Sequence, residues 1–343
     1  MGLSAGWNFN IPREMIPDLT TRIFNLKNQG DFTGAALAIF KIQAENNPVY
    51  KDFLHQIGID KAAITSVKEI PFLPVEFFRS HKIITGSLPV IKIFESSGTT
   101  GASVSRHYLV DTEIYKRSFL QAFSLFYGDP SEYFIAALLP SYAERENSSL
   151  VYMMANLIKA SNDTRSGFFK NNIRELISTI GLARAEGRKI FLMGVSFALL
   201  DLAEKFSPDL SDSIIMETGG MKGRKKEITR TELHSILKNR LNVKVIHSEY
   251  SMTELLSQAY SKGNGIFRCP PWMKILIRDP QDPLSIITEP GRTGGISIID
   301  LANLYSCSFI ATNDLGRLHK DGGFEVLGRF DASDIRGCNL LSE

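Results

Sequence analysis

At 343 residues, 43% hydrophobic and 22% charged, the chain has the length for one large or two smaller domains with a substantial core. Its 39 basic and 37 acidic residues leave a net charge of +2, which excludes the electrostatic footprint of a nucleic-acid-binding protein. Three widely spaced cysteines (Cys269, Cys307, Cys338) exclude a disulfide framework and a cysteine metal site, and no apolar run reaches the roughly 18 residues of a membrane span.

The start, MGLSAGWNFNIPREMI, lacks the apolar segment of an export signal, so a soluble, cytoplasmic protein is expected. From residue 13 to about 60, apolar positions recur at helical spacing, with breaks expected at Gly30 and at Asn46-Asn47-Pro48. EIPFLPVEFF crosses two prolines and reads as an extended connector. LPVIKIF reads as a buried strand running into SSGTTG at 96–101. Glycines there let backbone N–H groups converge on phosphate oxygens and the hydroxyls add donors, although composition alone fits a polar loop equally well.

Strands are expected at EYFIAALLP (132–140), KIFLMGV (189–195), SIIMETGG (213–220) and VKVIHSEY (243–250). The helical stretches DTEIYKRSFLQAFSLF, NIRELISTIGLARAEG, SFALLDLAEKF and ITRTELHSILKNRL intervene, which implies an α/β fold with a largely parallel sheet. After 265 the texture changes to short strands: WMKILIRD, LSIITE, GGISIID, CSFIATNDLG and GFEVLGRFD. Ligands of open α/β sheets bind at the carboxyl ends of strands. Those ends deliver Ser96–Gly101, Pro140-Ser141-Tyr142, Gly219-Gly220, SEYSMTE (248–254), Asp314 and GRFD (328–331).

Taken in order, SSGTTG (96–101), SEYSMTE (248–254), TNDLG (312–316) and GRFDASDIRG (328–337) resemble the motifs of the adenylate-forming enzymes. NNPVYKDFL, PFLPVEFFRS and LLPSYAERENSSLV are closer to the acyl-protein synthetases of bacterial luminescence operons, with phenylacetate-CoA ligases the next nearest group. The resemblance spans nearly the whole chain. It implies a helical segment at 1–85 packed on the core, an α/β nucleotide-binding core at 86–264, and a β-rich segment with a tail at 265–343. It implies ATP and Mg²⁺, activation of a fatty or similar acid as acyl-AMP, and transfer of the acyl group to a protein thiol. CoA as acceptor, or nucleotide and acyl binding without turnover, are the alternatives.

Carried over position by position, Ser96, Ser97, Gly98, Thr99, Thr100 and Gly101 would wrap the β- and γ-phosphates. Gly219 and Gly220 would make room for the adenine or adenylate, and Tyr250 would stack on the base. Thr253 would touch the α-phosphate, Glu254 would hold Mg²⁺, Asp314 would bind the ribose hydroxyls and Arg329 the ribose or phosphate. Cys338 matches the cysteine that accepts the acyl group, and an acyl reductase or acyl carrier protein is the implied partner, with Lys222 to Lys226 the most visible docking patch.

The chain departs from the pattern in three ways. No lysine follows the glycine-rich loop before Arg106, Ser251 replaces the usual glycine, and the sequence ends 12 residues after Asp331, without the small C-terminal domain and its lysine. A rival reading takes Gly194-Val195-Ser196-Phe197-Ala198 as a hydrolase elbow with Ser196 as nucleophile and Asp314 and His319 as partners. Its bland counterpart is a helix N-cap serine. His81, His107, His234 and His247 show no partner spacing and read as surface or core residues.

Overall fold

The computed structural model describes residues 15–97, 104–141, 143–219 and 228–330. Helices α1 (Met15–Ile23), α2 (Gln29–Asn46) and α3 (Pro48–Gln56) open the chain. The first break comes earlier than Gly30, because the Asn28 side chain accepts the Asp31 N–H at 3.0 Å and caps α2, leaving Gly30 in its first turn. The second break is where it was expected: Asn47 caps α3 by accepting from Tyr50 N, and Pro48 takes the first helical position.

Next come β1 (Leu73–Pro74), α4 (Phe77–Ser80), β2 (Lys92–Glu95) and β3 (Arg106–Leu109). The two-proline connector is thus extended, then turns into a short helix. LPVIKIF does not enter the main sheet. Its β2 pairs only with β3, as an antiparallel hairpin, and among β2 side chains only Phe94 is buried.

The alternating region supplies α5 (Glu113–Tyr127), β4 (Tyr133–Leu138), α6 (Ser149–Ala160), β5 (Gly167–Phe168) and α7 (Ile173–Ala185). It continues through β6 (Lys189–Val195), α8 (Ser196–Lys205), β7 (Ser213–Thr218), α9 (Arg230–Leu241) and β8 (His247–Tyr250). The last part is β9 (Ala259–Ser261), β10 (Ile266–Arg268), β11 (Met273–Arg278), β12 (Ile286–Ile287), β13 (Thr293–Asp300), β14 (Phe309–Leu318) and β15 (Phe324–Arg329).

Among the described residues the strands, apart from the β2–β3 hairpin, join one thirteen-stranded sheet. Its parallel half runs β5-β4-β6-β7-β8, and its antiparallel half continues β9-β10-β15-β14-β13-β11-β12. Strand β4 shows how the parallel half is sandwiched. Tyr133, Ile135 and Ala137 face one apolar core, while Phe134, Ala136 and Leu138 face a second core made with α7, α8 and α9. A strand covered on both faces must be apolar throughout, as YFIAAL is. Among the described residues no helix is long and apolar enough to cross a membrane.

Candidate active site

The hairpin β2–β3 presents the Ser/Thr/Gly loop from a fixed base. Ser96 N donates to Ser105 O and Ser105 N donates to the Ser96 hydroxyl oxygen, both at 3.0 Å. Gly98, Thr99, Thr100 and Gly101 lie outside the described residues, as do Gly220, Lys222 to Lys226 and Cys338. Arg106 stands opposite Glu95 in the hairpin register and pairs with it at 3.1 Å, so its charge is committed to that carboxylate.

Tyr250, Asp314 and Arg329 come from three separate motifs and form one chain of contacts. The Tyr250 hydroxyl donates to the Asp314 carboxylate at 2.7 Å, and Arg329 Nε lies 3.4 Å from the other carboxylate oxygen. The register explains the second contact, since Asp314 and Arg329 are direct partners across β14 and β15. Asp314 therefore sits inside β14 rather than after it. Burial, and next the Asp314 charge, raise the Tyr250 hydroxyl far above its ordinary value, so it stays a donor. Its ring packs edge-on against Phe267 and Phe324.

The SMTE segment after β8 is held from behind. His107 Nδ1–H donates to Thr253 O at 2.9 Å, and the Asn303 amide donates to Glu254 O at 2.7 Å. Asp300 accepts from Leu256 N at 2.7 Å and from the Ser257 hydroxyl at 2.5 Å. Burial lowers the His107 imidazole to about 4 and raises the Asp300 carboxyl to about 6. Glu254 is buried, and its carboxyl is pushed upward chiefly by that burial. Among the described residues no cluster of three His, Cys, Asp or Glu side chains could hold a metal alone. Mg²⁺ needs no such cluster, since it takes one or two protein carboxylates and completes its shell with phosphate oxygens and water. Glu254 directly follows Thr253, which lines a cleft, but is not itself among that cleft's lining residues.

Ser97, Thr218, Gly219, Ser251 and Thr253 all line one cleft of about 660 Å³. Gly219 has φ +66°, a left-handed conformation that suits a residue without Cβ. Its carbonyl accepts from the Ser196 hydroxyl at 2.7 Å. The cleft lies at the carboxyl ends of β6 and β7, where Val195 and Thr218 line it.

No protein-family model matches the chain, and no curated protein matches it. Solved structures do. ATP-bound MatB from Rhodopseudomonas palustris superposes with a TM-score of 0.54 at 14% identity, covering 71% of this chain and 49% of that one. The chain has the fold of the adenylate-forming, acyl-CoA synthetase-like enzymes. The amide bond synthetase McbA from Marinactinospora thermotolerans gives 0.50 at 16% identity over 69% of this chain and 48% of that one. A luciferase-like enzyme from the mealworm Zophobas morio gives 0.50 at 14% identity, over 80% and 62%. The chain thus spans about half the length of MatB and of McbA.

The hydrolase elbow does not form. Ser196 is buried, its hydroxyl is directed to Gly219 O and Glu217, and His319 pairs with Glu325 instead. Nor is Ser196 an N-cap: Val195 holds that position and Ser196 is the first residue of α8. Sequence reasoning missed Arg145 and Lys170, which also line the cleft, and it missed helix α6, whose N-cap Ser148 follows closely on Arg145. The signal was present in AERENSSLV, where charged residues precede a capping serine and an apolar run.

Proposed function

We propose that this protein uses ATP to activate a carboxylic acid, fatty or similarly apolar, as an acyl-adenylate, and then passes the acyl group to a thiol. The observation that carries the reading is convergence: Ser97, Gly219 and Thr253 meet in one cleft, and Tyr250, Asp314 and Arg329 join in one chain of contacts on the matching fold. The substrate carboxylate oxygen attacks the α-phosphorus, and the bond to the β-phosphate oxygen breaks, its electron pair leaving on pyrophosphate. Such chemistry needs positioning and charge neutralisation more than a protein nucleophile. Thr253 supports the α-phosphate, the Asp314 carboxylate accepts from the ribose hydroxyls, and Tyr250 fixes that carboxylate as well as edging the base. Glu254 would hold Mg²⁺, which neutralises phosphate charge when bound.

Arg145 supplies the cation at the β- and γ-phosphates. Of the two carboxylates lining the cleft, Glu95 pairs with Arg106, while Glu144 accepts from Ser141 N at 2.7 Å and lies 3.8 Å from Lys170. Arg145 has no carboxylate partner among the described residues. Its loop is stiffened by the Arg145 N to Ser141 O bond and tied to β2 by Glu95 N donating to Asn147 O at 2.8 Å.

For the second half-reaction, the acceptor is Cys338, with a reductase or carrier taking the acyl group onward. Cys269 and Cys307 are unsuited, because burial raises both thiols, Cys307 to about 12, and only a thiolate is a good nucleophile. The test is carboxylate-dependent exchange of labelled pyrophosphate into ATP, followed by labelled acid and hydroxylamine. Exchange without a protein-bound label would redirect the second step to CoA. No exchange with any acid would leave a nucleotide-binding protein without this activity.

A further inference from the structure

A second groove, of about 640 Å³, shares no lining residue with the cleft. It runs between the α1–α2 connection (Leu26 to Gln29), the edge strand β12 with its neighbour β11, and the turn that follows β14. Five lysine or arginine side chains line it, Lys27, Lys68, Arg268, Lys274 and Lys320, with His319 beside them, and no acidic one does. Chance disfavours that in a chain whose charges nearly balance at 39 to 37. Arg268 is neutralised by Asp321. The other four have no carboxylate within salt-bridge distance among the described residues.

Lys274 is the informative one. It is half-buried, stands over the Phe32 ring at 5.6 Å, and its ammonium is pushed down by burial and then by the charge of Lys68. Two lysines held near each other without a counter-ion cost stability, and an anion set between them would remove that cost.

The groove's shape narrows the kind of anion. The β11 part of its apolar floor is already covered, with Met273 and Ile275 each 4% exposed and Leu276 6%, so a lipid tail would bury little new surface against that strand. The four cations without a carboxylate partner come from four separate segments: the α1–α2 connection, the stretch that holds Lys68, β11, and the turn after β14. Distributed positive charge over a closed floor suits distributed negative charge on a folded surface. Steering of this type speeds encounter and is screened by salt.

We propose that this groove is the docking surface for a partner protein that presents a carboxylate-rich face. The proposal rests on the acyl-transfer reading only for the identity of the probe, since the charge pattern itself is independent of it. The test is zero-length carbodiimide cross-linking of the full chain to an acyl carrier protein, with the linked lysines mapped by mass spectrometry. Cross-links are expected at Lys27, Lys68 and Lys320. Cross-linking should fall at least fivefold between 50 and 300 mM salt, and at least tenfold in Lys27→Glu/Lys320→Glu, a pair of exposed positions. Pyrophosphate exchange with a free acid should be unchanged in that variant, because neither residue touches the cleft. Cross-links concentrated on other lysines, or an undiminished yield in the charge-reversed variant, overturn the proposal. Binding of decanoate or of phosphatidylglycerol vesicles that is lost in the same variant, with no carrier cross-link, overturns it in favour of an amphiphile site. Absence of exchange in the unmodified protein would sink the acid-activating reading while leaving the cross-link map to decide this one.

Discussion

Arg145 and His107 stand at different removes from the cleft, one lining it and one behind the SMTE segment that lines it. A guanidinium can offer paired N–H groups to phosphate oxygens, and charge-assisted bonds of this kind are worth about 1.5–3 kcal/mol each. Arg145→Ala should therefore weaken inorganic pyrophosphate and ATP by about tenfold or more. AMP, which lacks the outer phosphates, should bind as before; calorimetric titration of all three ligands makes the comparison, and a parallel loss for AMP would reassign Arg145 to general support of the loop. His107 makes a different prediction, through pH. The folded imidazole titrates near 4 against an ordinary 6.5, so the unfolded chain binds more protons between those values. The contribution is whole above about 6.5 and is lost as pH falls towards 4, on the order of 3 kcal/mol in all. Asp300, raised to about 6, has the opposite sign, losing stability as pH climbs from its ordinary 3.8. The two are separated by His107→Gln, which keeps an N–H for Thr253 O. Urea denaturation from pH 7 to 4 should show a flatter acid limb for the variant than for the parent chain.

At the scale of elements, strands with long apolar runs were legible: KIFLMGV coincides with β6, and YFIAAL forms β4 inside the expected 132–140. Short strands were not. Ala259–Ser261 and Ile266–Arg268 have three residues each, too few for a period, and they exist because β8 and β15 offer them partners. LPVIKIF had the composition of a core strand, yet pairing with β3 placed it on a half-exposed hairpin. The order of the motifs singles out Tyr250, Asp314 and Arg329, which do touch one another, whereas Arg145 and His107 stand out only through the fold, one by lining the cleft and one by its bond to Thr253 O. GGISIID shows a further packing constraint that the pattern hides. A Cβ on Gly295 would lie 2.6 Å from Arg278 Cζ, where the buried guanidinium donates to Ile296 O at 2.7 Å and to Thr312 O at 2.5 Å. Gly295→Ala should expel Arg278 from that seat and cost about 1–3 kcal/mol, as overpacking does. A combined Gly295→Ala/Arg278→Met variant, which vacates the clash, should regain part of the loss in thermal denaturation; no recovery would place the cause in the backbone of β13.

Across the whole molecule, the N-terminal helices brace the site without lining its cleft. Gln43, buried in α2, donates through its amide to Asn303 O and Leu304 O, each at 3.1 Å, and to the Ser308 hydroxyl at 3.2 Å. Its carbonyl oxygen accepts from Ser308 N at 2.9 Å. Asn47 repeats the arrangement at the next helix, donating to Ser306 O at 3.0 Å. The 300–308 segment is thereby fixed against α2, and that same segment supplies Asn303 to Glu254 O and Asp300 to Leu256 N and Ser257. A path of hydrogen bonds therefore connects α2 to Glu254, the residue proposed to hold Mg²⁺. Gln43→Leu has similar volume but leaves a buried backbone N–H and two carbonyls without this partner. Each orphaned group costs about 1–3 kcal/mol, so a loss of several kcal/mol is expected in urea denaturation. Because the bracing reaches the SMTE segment, the same variant should raise KM for ATP severalfold at temperatures where it is still folded. A stability loss with an unchanged KM would show that α2 supports the fold alone, and that the SMTE segment keeps its place through His107 without help from the 300–308 segment.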